Sequence, residues 1–160
     1  MNTKRLSVAA VVLTAFSGCS SGTESQPVDS IESRAGENYQ SIEAFFRNME
    51  YIQSMQLLVR ETHDDPDEKL DALKRLASKV LEEDRRIDET KLDAIYPSWG
   101  TTYKRTFAKG INALNQGLDQ ESKADFAMSD SYLAEWDTWW RDHDSEVFLA
   151  LNQRFGFEVK

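Results

Sequence analysis

From residue 37 onward, apolar side chains return every three or four positions, and nowhere do they alternate with the period of two that a strand requires. That regularity restricts the chain to helices. Residues 37–63 read as a first helix, with Ile42, Phe45, Phe46, Met49, Ile52 and Val59 on one face at about 100° per residue. The acidic break at His63, Asp64 and Asp65 ends it, because the residue before Pro66 is pushed out of the helical region. Asp65 suits the N-cap of a second helix, with Pro66 in its first position and Glu68 completing a capping box. Leu70, Leu73, Leu76, Ala77, Val80 and Ile87 then share a face.

In the third segment Leu92, Tyr96, Tyr103, Phe107, Ile111, Leu114 and Leu118 hold one register across Pro97. Either the helix begins near Thr90 and kinks, or it begins at Pro97. Gly110 and Gly117 lie on the same side, where another backbone can approach closely. Residues 117–122 read as a turn, and a fourth helix follows to about Arg154. Its face carries Tyr132, Leu133, Trp136, Trp139, Trp140, His143, Val147 and Leu151. Four amphipathic segments with short connections predict an all-α fold, a single antiparallel four-helix bundle over residues 37–160. On the order of 120 residues suffices for one such domain and hardly permits two.

The leading segment has a different character. Lys4 and Arg5 precede an eleven-residue apolar run, Leu6 to Phe16, followed by Ser17, Gly18 and Cys19. The run suits a secretory signal and is far shorter than the roughly 20 residues of a spanning helix. Basic start, apolar run, small residues and the single cysteine resemble the lipobox signal of bacterial lipoproteins, with Phe16 where an aliphatic residue is usual. The resemblance covers residues 1–22. It implies removal of a signal peptide, residues 1–18, and acylation of Cys19 at its thiol and freed amine. Two or three acyl chains anchor stably, since each buried CH₂ contributes about 0.8 kcal/mol and one chain holds only marginally. Ser20 and Ser21 after the cysteine imply the outer membrane if the envelope is Gram-negative. Residues 19–36 are polar, with Ser, Gly and one Pro, and read as a flexible tether spanning roughly 20–25 Å.

Charge narrows the partners. Removing residues 1–18 takes Lys4 and Arg5 from 19 basic residues and leaves 28 acidic ones, so the net charge moves from −9 to −11. That disfavours nucleic acid and anionic headgroups. With Cys19 acylated no thiol remains for a disulfide, a thiolate metal site or a nucleophile. No HExxH, Walker loop, EF-hand loop or CxxCH occurs. Di-iron bundles pair Glu with His three residues later, whereas Arg60 precedes His63 and Trp140 precedes His143. The chain is therefore expected to be non-enzymatic, with no catalytic residue, no metal site and no cofactor.

One constellation stands out. Trp136, Trp139 and Trp140 fall within about 100° of helix circumference, with His143 one turn on. Tryptophans at this spacing ordinarily fill a core. Two other readings apply if the rings face solvent or a cavity. Flat indoles suit glycan or peptidoglycan. The layout also resembles the soluble b-type cytochrome bundle, which implies haem between His143 and Met49 or Met55. The acids around His63 and His143 read as solvated helix ends rather than ligands. Gln53, Gln56 and Arg60 extend the apolar side of the first helix, with Asp84 as a candidate partner for a buried Arg60; if exposed, they form a polar end for another protein. Phe155, Phe157 and Val159 either fold back or offer a handle. The expected function is an accessory or adaptor lipid-anchored in the cell envelope, docking another envelope protein through a helix face. Ligand binding at the last helix is the alternative.

Overall fold

The computed structural model describes residues 39–60 and 66–156. The expectations for the signal peptide, Cys19, the tether, His63, the Asp65 cap, Phe157 and Val159 lie outside the described residues. All regular elements among the described residues are helical. They are α1 (Tyr39–Arg60), α2 (Pro66–Asp84), α3 (Glu89–Asp93), α4 (Trp99–Tyr103), a π-helical segment (Lys104–Ala108), α5 (Lys109–Gln120) and α6 (Lys123–Phe155). The fold is all-α. None of these helices is long and apolar enough to cross a membrane.

Helix α1 packs on α2, α2 on α5, and α5 on α6, while α3 sits against α4 and α1. Pro66 opens α2, as its missing N–H and fixed φ favour. Lys69, one turn in, is buried and donates from Nζ to the Val59 carbonyl at 2.9 Å, tying the end of α1 to the start of α2.

The third segment differs from both expected forms. Asp88 caps the one-turn α3, accepting from the Thr90 N–H at 3.0 Å. The chain then turns through Pro97, and Ser98 takes a left-handed φ of 66° before α4 begins at Trp99. Proline has no N–H to carry a helix onward, so the segment divides rather than kinks. Asp93 accepts from the Thr101 N–H at 3.1 Å and closes the two short helices on one another. Gly100 makes this possible: a Cβ there would stand 2.1 Å from the Glu89 carbonyl oxygen. The π segment accommodates one residue more than an α turn, and both Thr106 and Phe107 are buried there. Thr106 satisfies its hydroxyl by donating to the Thr102 carbonyl at 2.7 Å.

The expected turn at residues 117–122 is shorter than anticipated. Helix α5 continues to Gln120, ends at Glu121 with a left-handed φ of 54°, and Ser122 caps α6 through the Asp125 N–H. Gly117 lies within α5, and its bare surface receives the Phe126 ring, 3.1 Å from where a Cβ would be. Gly156 ends α6 in the left-handed conformation that favours glycine.

Candidate functional site

The aromatic stripe of α6 divides into core and margin. Trp136 is fully buried and Trp140 nearly so. Phe45 of α1 meets Trp136 at 6.0 Å between centroids, Trp140 at 5.2 Å, Trp99 at 4.8 Å and Tyr103 at 5.6 Å. Tyr103 and Phe107 stack at 4.9 Å, and each lies 5.7 Å from Trp136. Close approach of α5 to α6 at Gly110, over Leu133, helps bring these rings together. Trp136 and Trp140 are therefore core residues, not part of an interaction face. Their neighbours come from three separate elements, which no reading of α6 alone supplies.

Trp139 and His143 remain half-buried at the margin. The imidazole stacks on the Trp139 indole at 4.7 Å and 13°, while Trp136 stacks on the same indole at 5.4 Å and 26°. Tyr96 stands edge-on to both rings and donates its hydroxyl to Glu146. That carboxylate, with a smaller contribution from desolvation, holds the Tyr96 phenol above its usual range. His143 Nδ1 lies 2.7 Å from the Trp139 carbonyl. Since a carbonyl only accepts, Nδ1 carries the proton and a neutral His143 keeps its lone pair on Nε2.

These positions bear on the sequence expectations. A glycan platform needs an open indole face, and Trp139 has a ring stacked at Trp136 and another at His143. A haem clamp needs His143 to face α1, but the imidazole turns to Tyr96, while Phe45 and Trp140 fill the α1–α6 contact. Met55 is core and Met49 half-buried beside it. Among the described residues no three His, Cys, Asp or Glu side chains converge as metal ligands. Arg60 is exposed, and Asp84 pairs instead with Lys104, whose Nζ donates to its carboxylate at 2.8 Å and its carbonyl at 2.6 Å. Gln53 is exposed too, and Leu57 beside it is 60% exposed. Phe155 neither folds back nor offers a handle: it is the last residue of α6 and is buried in the core, with the Arg154 guanidinium 5.8 Å from its ring.

A buried polar contact was missed from sequence. Asn48 Nδ2 donates to the Tyr103 hydroxyl at 2.7 Å inside the core. Burial, reinforced by the Asp84 carboxylate, pushes the Tyr103 phenol well above its usual range. Among the described residues, Asn48 Oδ1 and the Nε1 atoms of Trp99 and Trp136 have no hydrogen-bond partner. Asn48 follows Phe45 by three positions, so the helical wheel does place it on the inward face; its polarity concealed that. No protein-family model, curated protein or solved structure matches this chain.

Proposed function

We propose that this chain is a non-enzymatic adaptor of the cell envelope, held by acyl chains on Cys19 through a tether and docking another envelope protein. In this reading the helices form an antiparallel up-down bundle of four long segments, α3 and α4 serving as the corner of the third. The observation that favours docking over catalysis is the outer edge of α1. Gln53, Leu57 and Arg60 recur at helical spacing and are exposed, and Leu57 is the most exposed of the large apolar side chains among the described residues. In this reading Leu57 supplies the apolar contact, and the exposed Gln53 and Arg60 its polar surround. It lies at the far end of a 22-residue helix, about 30 Å from the end that the tether enters. Confinement to a membrane surface raises effective concentration, so even a weak interface is occupied.

In-cell crosslinking and affinity purification test the reading, with Cys19→Ala and Leu57→Glu as controls. One envelope protein recovered in stoichiometric amount, and lost in both controls, supports it. Retention of that protein by Leu57→Glu moves the docking face elsewhere. Equal membrane fractionation of Cys19→Ala and the parent removes the anchor from the proposal.

A further inference from the structure

All four tryptophans of the chain belong to one unbroken series of ring contacts. Trp99 lies 6.4 Å from Trp140, Trp140 stacks on Trp136 at 5.5 Å and 23°, and Trp136 stacks on Trp139 at 5.4 Å and 26°. Trp99, Trp140 and Trp136 are buried, and Trp139 is half-buried at the rim. Core packing asks only for apolar volume, which phenylalanine or leucine also supplies. Indoles and phenols bring a second property, because they give up one electron more readily than other aromatic side chains. Rings in contact exchange that electron far faster than separated ones, since tunnelling decays exponentially with distance.

Among the described residues two tyrosines touch the series, and their surroundings differ. A phenol gives up an electron easily only when its proton leaves with it. Tyr103 is 5.7 Å from Trp136, but it has no exposure to solvent, and the Asp84 carboxylate on that side is engaged by Lys104 Nζ at 2.8 Å. Tyr96 is half-buried, 6.3 Å from Trp139, and donates its hydroxyl directly to Glu146. Glu146 is exposed and has no cation partner among the described residues. The series therefore ends at the rim on a phenol that already faces a proton acceptor.

We propose that this series is a relay for oxidising equivalents, with Tyr96 as its outlet. A one-electron oxidant of the class of radicals formed from peroxides takes an electron from an indole and leaves a radical cation. Electrons move inward along the stack until the vacancy stands on Trp139. Tyr96 then refills Trp139 with one electron while its phenol proton passes along the hydrogen bond to the Glu146 carboxylate. The products are an intact Trp139, a neutral tyrosyl radical and a protonated Glu146, so charge and protons are conserved. A soluble reductant of the ascorbate class supplies one electron at the rim, and Glu146 returns the proton. An oxidation that would otherwise stay in the core is discharged where solution can reach it. The relay asks nothing of the docking edge of α1.

Pulse radiolysis with azide radicals, which oxidise indoles in preference to neutral phenols, tests the relay on the protein as the cell matures it, in excess detergent. The indole-radical absorbance is expected to decay as the tyrosyl absorbance grows, at one rate that does not change with protein concentration. Tyr96→Phe keeps the ring and removes only the hydroxyl, so its melting midpoint should stay near the parent's. Its indole radical is expected to live about tenfold longer or more. Trp139→Phe, which breaks the series before the rim, should lengthen that lifetime likewise. Glu146→Gln can still accept the phenol hydrogen bond but not its proton, and should slow the transfer. Tyr103→Phe should leave the rate unchanged. Equal lifetimes in Tyr96→Phe and the parent, a Glu146→Gln rate equal to the parent's, loss of the tyrosyl radical in Tyr103→Phe, or a rate that rises with protein concentration each overturns the proposal.

Discussion

Asn48 of α1 donates its amide hydrogen to the phenol oxygen of Tyr103 on α4 at 2.7 Å, and neither side chain has measurable exposure to solvent. The bond spans 55 positions of sequence and joins two elements that otherwise meet through rings. Tyr103→Phe keeps the ring packing but leaves Asn48 with neither side-chain atom partnered. A loss of about 1–3 kcal/mol in urea unfolding is expected. Asn48→Leu combined with Tyr103→Phe should recover part of that loss, since it removes the stranded amide. No recovery in the double variant would show that ring packing, not the polar contact, carries the effect.

Alkaline stability depends on the same phenol. Its folded-state pKa lies well above the ordinary value of about 10, because burial and the Asp84 carboxylate both oppose the phenolate. A raised folded pKa means that the full contribution is present below about pH 10 and falls as pH climbs beyond it. Phenolate absorbance from Tyr103 should therefore appear only together with loss of helical circular dichroism. The Tyr103→Phe variant should show a shallower alkaline decline.

The split in the α6 stripe predicts unequal costs for two similar truncations. Trp136→Ala opens a hole among Phe45, Tyr103 and Phe107 and should cost about 3–5 kcal/mol. Trp139→Ala removes a half-exposed ring whose loss solvent can partly fill, so its cost should be clearly smaller. Equal denaturation midpoints for the two variants would contradict the division into core and margin.

Alanine at three glycines should rank by what each Cβ meets. At Gly100 it would collide with the Glu89 backbone, which can yield only if α3 leaves α4. At Gly110 it would press on Leu133 atoms at 2.8 Å, and at Gly117 on the Phe126 ring at 3.1 Å. Overpacking costs about 1–3 kcal/mol, set against a gain near 1 kcal/mol in helix propensity. Thermal unfolding should place Gly100→Ala lowest and Gly117→Ala nearest the parent.

Much of the helical framework was legible in the chain. The faces of α1 and α2 carry the expected Ile42, Phe45, Ile52, Leu73, Ala77 and Val80 into the core, because burial follows the period of the helix. Pro66 marks a helix start for local reasons that need no neighbour. The region from residue 88 to 108 was harder to read. Its apolar register is continuous, so periodicity alone cannot show that Pro97 and Ser98 divide it, or that a π segment follows. Lys69 and Asn48 were passed over because their polarity argues for solvent until a partner is found for each.

By itself the sequence determined the all-α class, the helix starts at Pro66 and after Ser122, and the resemblance of residues 1–22 to a lipoprotein signal. These are local properties: backbone propensity, capping, proline geometry and short peptide motifs are set within a few residues. Only the tertiary structure decided which tryptophans of one stripe are core. Trp136 and Trp139 are three residues apart and chemically identical, yet one lies among Phe45, Tyr103 and Phe107 and the other at the rim beside Tyr96. Burial is a property of what packs on a residue from elsewhere in the chain. For α6 those neighbours come from α1, α4 and the π segment, elements that a linear pattern does not set beside it.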